Sequence, residues 1–380
     1  MKQAGILLLM TLLCGAIASS RIAHAGTITV TSTSDSGPGS LRQALADANN
    51  GDTIDFGITG TIVLSTGELL VDKSITIDGP GSDNLTVVGN QPDRVFHISG
   101  GVITTLAGLG IMNGGDEYTI GGGIHNDHST LAIDRCTVSD NHAAVGGGVY
   151  NDASNGNATL IVTNSTFSGN IAAIPRNDGN GAGIYNNGSN GSAMLTITNS
   201  TFSGNWAATF GGAVYNHSLE GSAALTVTNS TFSANFADIG GGIYNIGSGA
   251  TVTVGDTILN AGSSGANIYN DFSGAVTSLG YNLSSDAGVT NVNGGTGGLT
   301  APGDQINTDP MLGPLQDNGG PTFTHALLSG SPAIDAGDPS FTPPPYYDQR
   351  GQRFNRITND RLDIGAFEVQ LATPGYAAQI

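Results

Sequence analysis

The chain has 380 residues, 30 Asp and Glu against 11 Lys and Arg, a net charge of −19 and only two cysteines. That acidity excludes nucleic acid and anionic polymers as partners held by charge, while Asp-rich loops admit a structural calcium; no other cofactor is called for. The 59 glycines and 11% charged residues would suit a low-complexity tract, but the ordered apolar spacing described below excludes disorder.

Residues 1–25 read as an export signal peptide. Lys2 gives a positive start, Gly5 to Ile17 an apolar stretch, and Ala23-His24-Ala25 a small-x-small cleavage pattern. Removing Lys2 and Arg21 takes the net charge from −19 to −21. Cys136 then remains as the single thiol, so no internal disulfide forms in an oxidising space. No later stretch approaches the ~20 apolar residues of a membrane span. The exported chain is expected to be a monomer, secreted or at the cell surface.

Residues 26–56 are expected to hold a first strand and a short capping helix. Ser40 is placed to cap the helix N-terminus, and Leu41, Ala44, Leu45 and Ala48 fall on one face. An open coil of strands exposes its core and an unpaired edge, so an amphipathic lid has a clear purpose.

Residues 57–300 are expected to form a parallel β-helix. Thr53 to Phe56, Ile62 to Leu64, Ser74 to Ile77 and Leu85 to Val88 read as its first strands, with Pro80-Gly81 as turn punctuation. One unit then recurs as Leu160-Ile-Val-Thr-Asn-Ser-Thr-Phe-Ser-Gly-Asn170, Leu195-Thr-Ile-Thr-Asn-Ser-Thr-Phe-Ser-Gly-Asn205 and Leu225-Thr-Val-Thr-Asn-Ser-Thr-Phe-Ser-Ala-Asn235. A second unit begins at Gly121, Gly146, Gly181, Gly211, Gly240 and Gly265, at intervals of 25, 35, 30, 29 and 25 residues. A period near thirty with variable insertions means stacked repeats whose loops differ in length. Alternation in Leu225-Thr-Val-Thr228, then Thr231-Phe-Ser233, then Ile243-Tyr244 gives three strands per period, fewer than a propeller blade needs. Leu160, Leu195 and Leu225 should form one inward column, and Phe167, Phe202 and Phe232 another. Asn164, Asn199 and Asn229 should make a ladder at the first bend, and Asn170, Asn205 and Asn235 a second.

Residues 301–370 lose the period and gain prolines, which predicts an irregular C-terminal cap; residues 371–380 read as a tail. Arg350, Arg353, Arg356 and Arg361 sit here beside Asp348, Asp360 and Asp363, an arrangement suited to Arg-carboxylate forks that pin a loop over the end.

The paired Gly-Gly-x-Ile-Tyr-Asn and Thr-Phe-Ser-x-Asn units over residues 121–270 resemble the repeats of polymorphic outer-membrane proteins, a family of β-helical surface adhesins. Thr29-Val-Thr-Ser-Thr-Ser-Asp-Ser-Gly-Pro-Gly-Ser-Leu-Arg-Gln-Ala44, and Pro332-Ala-Ile-Asp-Ala-Gly-Asp338 with Asp363-Ile-Gly-Ala-Phe-Glu368, resemble secreted bacterial proteins of the pectin-lyase-like superfamily. The resemblance implies an all-β fold, a single right-handed parallel β-helix, in an extracellular or cell-surface protein. It does not by itself imply an activity.

Polysaccharide-cleaving enzymes that share this fold are similar in using a basic residue as proton abstractor beside Asp-held calcium. Between Asp127 and Leu299 the only Lys or Arg residues are Arg135 and Arg176. Asp116-Glu117, Asp134 and Asp140 are near one another in sequence but match no hydrolase motif. No catalytic residue is therefore assigned, and the alternative of a polysaccharide lyase or glycoside hydrolase stands second to a non-catalytic adhesion or binding protein. His125-x-x-His128 and His142 have ligand-like spacing, yet His125 takes the place held by Tyr in the next five copies and reads as a rung variant, so no metal ligands are assigned.

Alternation turns Tyr150, Tyr185, Tyr215, Tyr244 and Tyr269 outward in one column. These are the binding candidates: a flat aromatic stripe can stack on sugar rings of a glycan or cover a cell-surface partner. Rings that stack on one another to shield the sheet are the competing explanation. The threonine columns Thr196, Thr226, Thr253 and Thr163, Thr198, Thr228 keep their pattern over too few repeats to make an ice-binding face.

Overall fold

The computed structural model describes residues 25–90, 92–173, 179–260, 262 and 264–370. The export signal expected over residues 1–25, save its last residue Ala25, lies outside them, as do Arg176 and the expected tail over residues 371–380.

An alternating segment buries one face and leaves both edges free to pair. Pairing each with its equivalent one repeat later produces parallel ladders, and the described strands fall into parallel sheets of 11, 9 and 9 strands around one core. Representative strands are Ser222–Thr228 in the leucine sheet, Thr231–Ser233 in the phenylalanine sheet and Ile243–Ile246 in the tyrosine sheet. A short fourth row, His142–Ala143, Ile171–Ala172 and Trp206–Ala207, lies between the last two. The chain is a parallel β-solenoid with three main strands per turn.

Register is kept without slip through the middle of the coil. Leu160, Leu195 and Leu225 are partners in successive strands, as are Phe167, Phe202 and Phe232, and all six are buried. The phenylalanine rings stack nearly parallel with centroids 4.7 and 4.9 Å apart, the separation that the ~4.8 Å strand spacing imposes. Each buried ring contributes about 1.5–3 kcal/mol of transfer free energy.

Asparagine makes the corners. Asn164, Asn199 and Asn229 adopt left-handed φ values of 50°, 56° and 49°, which a short amide tolerates because it can bond nearby backbone. Asn199 donates to Asn164 at 2.7 Å. The row changes character at Asn229, whose Oδ1 accepts from Arg356 instead. The second ladder is continuous: Asn141, Asn170, Asn205 and Asn235 are joined in order at 3.0, 2.9 and 2.8 Å.

A third and longer ladder adds to the two expected. It runs through Asn126, Asn151, Asn186, Asn216, Asn245, Asn270 and Asn291 with Nδ2 to Oδ1 distances of 2.7 to 2.8 Å. Asn126 to Asn270 are the last residues of the Ile-Tyr-Asn units and of their His125 variant, turned inward by alternation past an outward ring, and Asn291, exposed at the end of the ladder, follows Thr290. Burial is tolerable because each amide finds partners in the neighbouring turns. The glycine that opens each unit has its own reason. Gly181 has φ +64°, and a Cβ there would meet Ile184 O at 2.7 Å.

The first end is closed by the helix Leu41–Asp47. Ser40 Oγ accepts from the Gln43 amide, while Leu41, Ala44 and Leu45 enter the core beside Val30 and Ile54. Asp35 ties the lid to the coil through Arg42, Ser65 and Thr66.

After Leu299 the chain first completes the last turn, with Ser284 N donating to Gln305 O and Tyr281 N to Pro302 O. It then departs from the expected position over the end. The remainder runs back as a strap along the outer face of the phenylalanine sheet, as far as Ser82, whose hydroxyl donates to Pro321 O. The outward column beneath it is Thr137, Thr166, Thr201, Thr231, Ile258 and Leu283. Hydroxyls in that column bond the strap, and Ile258 and Leu283 pack with Leu327, Ala333 and Ile364. The fork expectation holds for Arg350 alone, which bonds Asp348 at 2.5 Å. Arg356 and Arg361 instead hold backbone carbonyls, those of Asp363 and Gly365 and of Gly337 and Ala336.

Candidate functional site

The outer face of the tyrosine sheet carries the chemically richest surface. Pairing places His97, His125, Tyr150, Tyr185, Tyr215, Tyr244 and Tyr269 in one file across seven turns. A polar file runs beside it, two residues further along each strand: Asp127, Asp152, Asn187 and His217, then Ile246 and Asp271.

The tyrosines form the expected column but not a flat stripe. From His125 to Tyr215 the rings meet edge to face, at interplanar angles of 67°, 76° and 86°. Flat stacking at the strand spacing leaves the faces out of van der Waals contact, and tilting fills that gap. From Tyr215 to Tyr269 the rings lie more nearly parallel, but Phe210 stacks on Tyr244 at 4.7 Å and approaches Tyr215 at 6.2 Å. Tyr215 and Tyr244 are consequently only 7% and 3% exposed. Phenol oxygens are also engaged: Tyr150 accepts from Asn187, Tyr185 pairs with His217 Nδ1, and Tyr244 donates to Asp271. Burial pushes the phenols of Tyr150, Tyr185, Tyr215 and Tyr244 up. Tyr150 and Tyr185, half-buried, are the part of the central column open to solvent, with Tyr269 at its far end.

Toward the first end the column passes into a charged cluster of Glu68, Arg94, His97, His125, Asp127, His128 and Asp152. Glu68 accepts from His97 Nδ1 at 3.0 Å and pairs with Arg94 at 2.8 Å. Arg94 Nη1 reaches His125 Nδ1 at 2.6 Å. His97 Nε2 stands 3.5 Å from Asp127 Oδ2, and His125 Nε2 stands 3.6 Å from Asp152 Oδ2. The Glu68 hydrogen bond raises the imidazole of His97, while the same bond lowers Glu68. Burial alone would raise Asp127 and Asp152. The bond from His128 outweighs it at Asp127, and at Asp152 the adjacent His125 imidazole together with bonds from Ser154 brings the carboxyl down to about 2.

Sequence spacing pointed at His125, His128 and His142, and the structure sorts them differently. His125 and His128 belong to the cluster, whereas His142 lies in the short fourth row. His125 is a rung variant in register with Tyr150, and it is also the centre of a charged group. Glu68, Arg94 and His97 carry no motif, since they come from turns before the repeat becomes regular. A second surface was equally silent: Trp206, 40% exposed, stacks on Phe236 in the short row, with Ile171 beside it. The signal available was that this is the only tryptophan in the chain, placed directly after the buried Asn205.

The Chlamydia polymorphic membrane protein (Chlamydia_PMP) repeat matches residues 199–217, one Thr-Phe-Ser and Gly-Gly pair of the coil. No curated protein matches the chain. Among solved structures, the chain is similar to the pectate lyase Pel9A at 13% identity and a TM-score of 0.47, covering 92% of this chain and 98% of that one. It is similar to the PL6 family alginate lyase AlyGC at 16% identity and a TM-score of 0.40, over 74% of this chain and 40% of the enzyme. A third is jun a 1, the major allergen from cedar pollen, at 15% identity and a TM-score of 0.34, over 75% of this chain and 78% of the allergen.

Proposed function

We propose that this chain is a non-catalytic extracellular or cell-surface solenoid whose tyrosine sheet binds the carbohydrate of a glycan or a neighbouring cell surface. The reading rests on one observation, the unbroken file of seven aromatic rings flanked by amide, imidazole and carboxylate groups. At one ring per ~4.8 Å turn the file is about 29 Å long, suited to an extended polymer lying along the coil. Tyr150 and Tyr185 offer ring edges and faces for sugar C–H groups, and the polar file offers donors and acceptors to hydroxyls. The export signal expected over residues 1–25 and the one matched polymorphic membrane protein repeat support the same location outside the cytoplasm.

The test is glycan-array or affinity-gel retention of the chain against its Tyr150→Ala and Tyr185→Ala variants. Loss of one stacking contact of about 1–1.5 kcal/mol should weaken retention roughly tenfold. Tyr215→Ala serves as the control for a covered ring. Retention unchanged in both open-ring variants, or no retention of any glycan by the parent chain, would overturn the reading.

A lyase or glycoside hydrolase is the alternative, and Asp127 with Asp152 is the pair to which it would turn. General-acid catalysis needs a carboxyl that keeps its proton near neutral pH. Both of these are held below the ordinary range. The carboxyls pushed upward, Asp256 to about 6, Glu368 to about 8 and Asp363, are tied up with the strap. Those environments favour binding over carboxyl-catalysed hydrolysis.

A further inference from the structure

We propose that His125, Asp127 and Asp152 form a binding site for a divalent transition-metal ion such as zinc, with His97, which borders the group at Asp127, able to join as a fourth donor by turning its side chain. The inference uses His97 and His125 of the same file but does not require that the file bind carbohydrate.

Donor atoms of His125, Asp127 and Asp152 all lie within 4.8 Å of one another. Two contacts in the group have an unusual length. His97 Nε2 to Asp127 Oδ2 is 3.5 Å and His125 Nε2 to Asp152 Oδ2 is 3.6 Å. Neither is a good hydrogen bond. Both are close to ~3.4 Å, the edge of a tetrahedron whose metal–ligand distances are about 2.1 Å. The two Nε2 atoms are buried and have no hydrogen-bond partner.

Each inward atom also belongs to a side chain whose outward atom is already held. Glu68 Oε1 holds His97 Nδ1, and Arg94 holds His125 Nδ1. His128 Nδ1 bonds Asp127 Oδ1, and the Ser154 amide donates to Asp152 Oδ1 at 2.9 Å. Outer partners of this kind orient metal ligands, the carboxylate behind an imidazole above all; Glu68 does this for His97, whereas Arg94 holds His125 in the opposite tautomer. With a cation bound, a proton kept on His97 Nδ1 and donated to Glu68 would free the Nε2 lone pair for ligation. One imidazole or two, with two carboxylates, is a donor set of nitrogen and oxygen that suits zinc better than calcium, which takes oxygens alone.

Arg94 gives the proposal a distinctive signature. By donating to His125 Nδ1 it assigns the imidazole proton to Nε2. Ligation needs the Nε2 lone pair, so the proton moves to Nδ1 and Arg94 gives up that contact while keeping Glu68. Arg94 therefore competes with the cation, both for the imidazole and by its charge.

Calorimetric titration of the purified chain with zinc chloride tests this, supported by the visible spectrum of the cobalt(II) form. One ion per chain is expected. Asp152→Asn and His125→Gln should each weaken binding at least ~100-fold, more than an outer partner would cost. Arg94→Gln should leave binding unchanged or tighten it; a marked weakening would overturn the competing role given to Arg94. Circular dichroism of each variant reports folding, and Asp152→Asn, which keeps size and shape, stands in should His125→Gln fail to fold. Absence of zinc binding below millimolar concentration, or binding that Asp152→Asn and His125→Gln leave intact, overturns the proposal. No carbohydrate enters these measurements, so their outcome is separate from that of the glycan assay.

Discussion

Thr201 on the phenylalanine sheet donates through Oγ1 to Gln349 Oε1 at 2.6 Å, across 148 residues of sequence. The same glutamine donates through Nε2 to Thr166 at 2.8 Å, to Thr322 at 3.0 Å and to Phe323 O at 3.2 Å. One buried amide thus joins two turns of the coil to two strap segments, and it shows how the strap is held: by polar pairing to a threonine column that would otherwise face water.

Gln349→Ala should therefore loosen the strap by about 1–3 kcal/mol, because it leaves the buried hydroxyl of Thr201 without its acceptor and removes the amide donor that Thr166 and Thr322 share. Native-state hydrogen exchange is the measurement. Faster exchange confined to the strap, with the leucine sheet unaffected, is expected; uniform protection in the variant would show that the network does not hold it.

Asn205→Asp should destabilise the coil by about 3 kcal/mol or more, since it leaves an unpaired buried charge or an unmade bond. Asn205 Nδ2 donates to Phe167 O at 3.0 Å and to Asn235 Oδ1 at 2.8 Å, and a carboxylate replaces both donors with an acceptor. Urea unfolding compares it with the parent chain. A midpoint unchanged at neutral pH would mean that the ladder contributes little.

Glu368 predicts the pH dependence of the strap. Burial, with Asp363 close by, raises its carboxyl from 4.5 to about 8. Between those values the folded chain binds the proton that the unfolded chain has lost, so stability falls as pH rises. The contribution is complete below pH 4.5 and is lost as pH passes through about 8. Asp256, raised to about 6, acts in the same direction. Denaturation at several pH values from 5 to about 9 should show the strap transition moving to lower urea, and Glu368→Gln should flatten that slope. A slope unchanged in the variant would assign the dependence elsewhere.

Residues that recur once per turn disclosed their positions directly. Phe167, Phe202 and Phe232, or Asn170, Asn205 and Asn235, have equivalent surroundings in each turn, so spacing alone puts them one above another. Alternation likewise settled which way Tyr185 points. What it left undecided was the covering of Tyr215 and Tyr244 by Phe210, because Phe210 comes from a connecting segment of variable length.

The sequence by itself determined the coil, its turn, its core columns and its helical lid, since a parallel solenoid repeats one local environment and periodicity is the direct record of that. Only the tertiary structure decided where the strap lies and that Glu68, Arg94 and His97 gather around His125 and Asp152. Those contacts join residues that occur once, from turns of unequal length and from a segment without period. Their proximity depends on the summed path of the chain, which no local pattern encodes.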